Sequence, residues 1–232
     1  MAKDTRARIL EATARLLQHR GYHGTALSDI LEESAAPRGS LYFHFPDGKD
    51  QIVMEATRAA VAKATLALQE TLAGAKNPAQ GVRAYLETAA RIMPETDYTF
   101  GCPVAPVILD ANAGLTELAE LCRGAFEEWI DLLRTSFVEA GVPRRRASAL
   151  AQLVISSIEG SMLLARAYRE SGPLMTVAAE LEMIVAAALP PRHAAGSRNA
   201  VGRGARRSSA DLRTSKLNLH MKRLSRGPRL AG

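Results

Sequence analysis

Apolar and polar positions repeat at helical spacing along most of residues 1–191. Ile9, Ala12 and Leu16, with Leu10 and Leu17 beside them, form one apolar face and predict a first helix over about 4–20. Gly21 supplies its stop, and Tyr22 is placed to fold back on the core. Thr25 is the expected cap of a short second helix, 26–34, whose Leu27, Ile30 and Leu31 face inward. A third helix begins near Pro37, a residue favoured in a first turn. It buries Leu41 and Phe45 and leaves Arg38, Ser40, Tyr42 and His44 free. Pro46-Asp47-Gly48 reads as a turn, with Asp47 a candidate cap for a long fourth helix over about 49–72.

The pattern continues through a fifth helix (79–93), with Val82, Tyr85, Leu86, Ala89 and Met93 inward, and a loop (94–100). A short apolar sixth helix starts at Gly101-Cys102-Pro103 and runs to about residue 112. The seventh (115–140) is apolar over a wide arc, from Leu118 through Phe126 and Trp129 to Phe137, which predicts a central position. Gly141 and Pro143 end it. An eighth helix (144–170) and a ninth (174–189) follow, separated by Ser171-Gly172-Pro173 and closed by Pro190-Pro191. Both carry small residues among large ones, Ser156, Gly160, Ser161 and Ala165, then Ala178, Ala179 and Ala186. Such residues let helices approach closely, within the chain or between two chains. The expected fold class is all-α.

Composition agrees: 232 residues, 47% hydrophobic and 5% aromatic, read as a soluble, mostly helical protein. No run of 18 apolar residues predicts a transmembrane helix, and the charged N-terminus lacks the apolar core of a signal peptide. Two cysteines, Cys102 and Cys122, are too few for a disulfide scaffold. A cytoplasmic location without membrane association is the expectation. The net charge of +6 is unevenly held. Residues 192–232 contain eleven Lys/Arg and one acid, whereas residues 1–50 contain seven of each sign and are neutral. Any contact of the N-terminal part with a polyanion must rest on where its charges sit, not on their sum. The tail, rich in Gly, Ser, Ala and Arg, is expected to be disordered and to add sequence-independent affinity for nucleic acid.

The second and third predicted helices with their turn have the dimension of a DNA-reading helix-turn-helix. The third opens Arg38-Gly39-Ser40, carries no acid and holds Tyr42, Phe43 and His44 in its last turn. Arg38 suits a base edge or a phosphate, Gly39 permits close approach of the backbone, and Ser40 is small and polar. Tyr42, His44 and Lys49 suit phosphate contacts, and Thr25 and Ser28 the adjacent strand. Tyr42 and His44 also fit a structural role, capping a small helical core. This stretch resembles the DNA-binding domain of the TetR family of transcriptional repressors. The matching residues are Gly21-Tyr22, Thr25, Asp29-Ile30, Arg38-Gly39-Ser40-Leu41-Tyr42, His44-Phe45 and Lys49. The Gly101-Cys102-Pro103-Val-Ala-Pro phrase is similar to the LmrA/YxaF-like subgroup, whose members respond to drugs or plant flavonoids.

The resemblance implies three parts: a helix-turn-helix domain at 1–48, a helical ligand-binding and dimerisation domain at 49–191, and the basic tail at 192–232. It implies a homodimer through the eighth and ninth helices, a palindromic double-stranded DNA operator, and release by a small, largely apolar effector. Two positions depart from the family pattern: Ala35 stands where the turn usually holds Gly, and Pro37 replaces a residue that is often Ser. The residues expected around the effector are Tyr85, Phe100, Cys102, Phe126, Trp129, Glu159 and Met162, a mostly apolar set with a few polar groups. Taken singly, each also fits plain core packing. Glu159, inside an apolar stretch, needs a polar partner, solvent, a ligand donor or an arginine at a dimer edge.

No catalytic residue, metal ligand or cofactor is expected. Cys102 has no His near it in sequence, the five His do not fall at zinc spacing, and Gly48-Lys49 lacks the rest of a phosphate loop. The alternative to a regulator is a non-specific nucleic-acid binder acting through the tail.

Overall fold

The computed structural model describes residues 4–110 and 115–191. Nine helices lie within them: α1 (Thr5–Arg20), α2 (Leu27–Ser34), α3 (Arg38–His44), α4 (Lys49–Gly74), α5 (Pro78–Glu95), α6 (Ala105–Asp110), α7 (Thr116–Glu139), α8 (Arg144–Tyr168) and α9 (Gly172–Ala188). The described residues contain no strand. The expectations for the tail and for the end of the sixth helix near Asn112 lie outside them.

Two cores organise the chain. The small one joins Ile9 and Leu16 of α1, Ile30 of α2, Leu41 and the adjoining Phe45 of α3, and Ile52 of α4. The first turns of α4 therefore belong to the packing of the helix-turn-helix. The large core draws on α4, α5, α7, α8 and α9. Arg6 contacts Glu55 across α1 and α4 and stacks over Phe45 at 5.3 Å, tying the two regions along α4.

Caps differ in detail from the sequence pattern. Asp4 caps α1, accepting from the Arg6 amide at 3.3 Å. The cap of α2 is Ala26, not Thr25. Asp29 substitutes for the missing side-chain cap by accepting from the Ala26 amide at 3.4 Å. Pro37 sits in extended conformation as the N-cap of α3 rather than inside its first turn. Gly48, not Asp47, precedes α4, and Asp47 donates its amide to Gln51 at 3.1 Å.

Helix α5 runs on past Met93 through Pro94 to Glu95, where a loop was expected. Proline has no N–H for the Ala90 carbonyl one turn back. Ser171, just before α9, supplies the missing donor: its hydroxyl binds that oxygen at 2.7 Å. Helix α7 is less central than its apolar arc predicts. One stripe (Leu118, Cys122, Ala125, Trp129, Leu133, Phe137) is buried, while Leu121, Phe126 and Leu132 are only half-buried. Helix α8 is long and apolar enough to span a membrane by length and hydropathy, although no single uninterrupted apolar run is present. Its buried face (Ala147, Leu150, Ala151, Val154, Ile158) is part of the large core.

Candidate nucleic-acid interface and effector cavity

The turn between α2 and α3 is built on Ala35 in the left-handed conformation, φ 48° and ψ 37°. The Ala35 amide donates to Glu32 and the Ala36 amide to Leu31, closing the end of α2. The turn keeps its usual geometry although an alanine occupies it, at a backbone cost of about 1 kcal/mol relative to glycine.

Helix α3 buries Leu41 and presents its other faces outward. Arg38, Gly39 and Tyr42 are exposed, and Ser40 and His44 half-exposed. A Cβ placed on Gly39 would meet nothing within 4 Å, so none of the described residues uses the clearance this glycine provides. Ser28 is exposed near the start of α2. Thr25 is a correction. Its side chain is fully buried and its hydroxyl donates to the Gly21 carbonyl at 2.8 Å, so it fixes the turn after α1 instead of facing outward. Lys49 holds its ammonium 4.1 Å above the Tyr22 ring. The Tyr22 hydroxyl bonds Asp50, and burial together with that carboxylate pushes the phenol up to about 12.

The charges of this region are sorted by position. Arg15 pairs with Glu33 at 3.0 Å, Arg20 with Asp29 at 3.0 Å, and Arg6 with Glu55. Arg38 has no such partner among the described residues and stands on the exposed face of α3. A segment without net charge thus keeps a guanidinium with no acidic partner among the described residues on its exposed surface. Phe43 was not anticipated as a site residue, yet it is 81% exposed beside His44, whose ring lies 5.1 Å away. Its sequence signal was present: one large apolar side chain more than the small core of a seven-residue helix can cover.

The second site is a cavity lined by residues of α1, α4, α5, α7, α8 and the loop before α6, with about 660 Å³ of empty space including its mouth. Tyr85, Phe100, Cys102, Trp129, Glu159 and Met162 all line it. Phe126 does not; its ring packs edge-on behind Trp129 at 5.6 Å, and this position is a correction. Trp129 donates its indole N–H to Thr65 at 2.8 Å, which fixes the ring as one wall. The Cys102 thiol and the Glu159 carboxylate line the cavity together, close enough for each to shift the other's titration. Burial raises both groups above their usual ranges; Glu159 adds to the rise at Cys102, whereas the thiol pulls Glu159 partly back. Burial, then the charges of Cys102 and Glu159, raises the Tyr85 phenol as well. Among the described residues Glu159 has no arginine partner; its companions are these two groups.

Gln18 was missed by sequence reading. It lies on α1, lines the cavity and donates its side-chain amide to the Gly101 carbonyl at 3.3 Å. Nothing local marks a residue whose partner is 83 positions away. Helix α6 closes on the same joint: a Cβ on Gly21 (φ 65°) would lie 3.2 Å from the Pro106 carbonyl, and Asp110 accepts from the His23 amide.

An exposed helix-turn-helix carried on a helical body with an apolar cavity defines a DNA-binding regulator. Comparison with known proteins gives the family. Residues 9–56 match the profile of the bacterial regulatory proteins of the tetR family, and residues 78–180 match that of the transcriptional regulator LmrA/YxaF-like C-terminal domain. The HTH-type transcriptional regulator LmrA of Bacillus subtilis is 33% identical over 174 residues, covering 75% of this chain and 93% of that protein. An uncharacterised HTH-type transcriptional regulator of Mycobacterium tuberculosis is 35% identical over 196 residues, 81% of this chain and 97% of its own length. Among solved structures, a TetR transcriptional regulator of Chloroflexus aurantiacus superposes with TM-score 0.67 at 27% identity, covering 80% of this chain and 96% of that one. The regulator CifR, solved with a 26-bp double-stranded operator, shares the fold with TM-score 0.67 at 22% identity, covering 82% and 98%. The chain belongs to the TetR family of transcriptional regulators, with a C-terminal domain of the LmrA/YxaF-like type. It is a DNA-binding regulator of transcription and not an enzyme.

Proposed function

We propose that the protein is a cytoplasmic repressor that binds a palindromic operator as a homodimer and releases it when a small, largely apolar effector fills the cavity. The observation that carries this reading is the joint at Gln18, where the cavity wall is a residue of the helix-turn-helix region itself. Occupancy of the cavity therefore acts on the segment that positions α3. A ligand shifts such an equilibrium only by its difference in affinity for the two states, typically worth about 1–3 kcal/mol.

In this reading residues 1–48 bind DNA, residues 49–191 bind effector and partner, and the basic tail adds non-specific affinity. Arg38 reads a base or phosphate, while Ser28, Ser40, Tyr42, His44 and Lys49 set the register. The backbone at Gly39 approaches the duplex, and Phe43 contacts an apolar group such as a thymine methyl. Dimerisation through α8 and α9 is supported by the apolar residues these helices leave exposed. Leu163 (68%), Leu164, Tyr168, Met175 and Met183 stand among the small, exposed Ser156, Gly160 and Ala179.

Selection of bound duplex from a random pool, with and without Arg38→Ala, tests the DNA reading. The expected product is a near-palindrome with half-sites roughly 34–36 Å apart or slightly more, blurred in the variant. Sedimentation of Leu163→Asp tests the dimer: a monomer that has lost operator affinity is expected. A sharp, non-palindromic motif bound by a monomer would overturn the proposal.

A further inference from the structure

The polar groups of the cavity are strongly one-sided. Glu159 is its one ionisable acid, and no Lys, Arg or His lines it. Its potential donors are mostly engaged elsewhere. The Gln18 amide donates to Gly101 and the Trp129 indole to Thr65, and the Cys102 thiol lies beside Glu159. The lining supplies a carboxylate and the aromatic rings of Trp129, Tyr85 and Phe100, with the Tyr85 hydroxyl and the second Gln18 N–H as further donors. Carboxylate oxygens and aromatic faces all carry negative potential. A carboxylate held largely out of water with only a thiol and a phenol for company is costly, as its displacement towards the neutral form indicates. A ligand anion would compound that cost; a ligand cation would offset it.

Resting on the reading of this cavity as the effector site, we propose that it selects lipophilic organic cations. The ligand is a planar aromatic body bearing a quaternary or protonated tertiary amine. Its cationic centre sits on the Glu159 carboxylate in place of the Cys102 thiol, and its rings lie against Trp129 and Phe100. No covalent step is involved. The thiol rotates away, and the carboxylate exchanges a weak donor for a full charge.

The test uses the full chain and a shape-matched pair: naphthylmethyl-trimethylammonium and its neutral isostere neopentylnaphthalene. Binding is followed by quenching of Trp129, the single tryptophan of the chain, and by calorimetry. The cation is expected to bind at least about tenfold more tightly than the isostere. In Glu159→Gln that preference should fall to within about twofold, with the isostere bound no worse than before. In Cys102→Ala, where the competing thiol is gone, the preference should be kept or increased. Equal affinity of the pair for the native protein overturns the inference, as does a preference that survives in Glu159→Gln or collapses in Cys102→Ala. If both compounds bind equally and release operator DNA, the cation selectivity fails while the effector cavity stands. If neither binds, both readings fail.

Discussion

Arg166 of α8 closes the end of α1: its guanidinium donates to the main-chain carbonyl of Gln18 at 3.0 Å. That oxygen belongs to the last turn of α1, where carbonyls lack helical partners. The cap comes from the large core, two turns along α8 from Glu159. Gln18 is thus held by its side chain at Gly101 and by its backbone at Arg166. The pair also bears on His19, whose pKa is lowered by burial first and by the Arg166 charge second.

Arg166→Ala should therefore weaken the joint between the two regions. Loss of one charge-assisted hydrogen bond is expected to cost about 1–2 kcal/mol in thermal or denaturant unfolding. Effector affinity should persist, but the ratio of operator affinities without and with effector should shrink. An unchanged ratio would show that signal passes elsewhere, along α4 alone.

Ala35 offers a gain in stability. At φ 48° a Cβ is strained, and Ala35→Gly relieves that strain at the expense of a more flexible unfolded chain. The expected net stabilisation is a few tenths to about 1 kcal/mol, read from the urea midpoint with an unchanged slope. A midpoint that stays put or falls would mean that the αL strain is not what limits the turn.

Gly39→Ala separates folding from DNA binding. The added methyl meets no atom of the described residues, and alanine favours a helix by up to about 1 kcal/mol. The melting temperature should hold or rise while operator affinity drops, because the methyl occupies space between α3 and the duplex. Retained affinity would place the DNA away from this face.

Glu159→Gln carries a pH signature. Burial raises the folded carboxyl above its ordinary value, so the unfolded chain ionises first as pH rises. Stability contributed by the neutral acid is intact below that value and is lost as pH climbs through the raised folded pKa. The effector-free variant should be the more stable protein at pH 8, with the advantage shrinking towards pH 5. A constant difference in melting temperature across that range would contradict the burial of this group.

Ser171→Ala tests the bridge from α9 to α5. Without the hydroxyl, the Ala90 carbonyl loses the donor that replaces the missing Pro94 N–H. A cost of about 1–2 kcal/mol is expected, and Ser171→Thr should restore part of it. Equal stability of the alanine variant would mean that water satisfies the carbonyl.

The sequence by itself determined the elements and the chemistry of the exposed face of α3. Helical spacing from Ile9 to Leu17, the stop at Gly21 and the Arg38–Lys49 string are local signals, and local backbone preferences set them. At Ala35 only the departure from the usual glycine was legible; that the turn keeps its left-handed geometry is seen in the structure. Tertiary structure decided what depends on distant partners. Thr25 looked like a cap and became a buried strut because the Gly21 carbonyl lay within reach. Pro94 looked like a helix stop and was absorbed because Ser171, 81 residues from Ala90, supplied the lost bond. Trp129 and Phe126 share one helix and read alike, yet only one ring reaches the cavity. Gln18 carried no signal, because its role exists only where α1 meets the loop before α6. Periodicity states which face of a helix is apolar. Only the packing of other helices against that face decides whether it becomes core, a cavity wall or a joint between two moving parts.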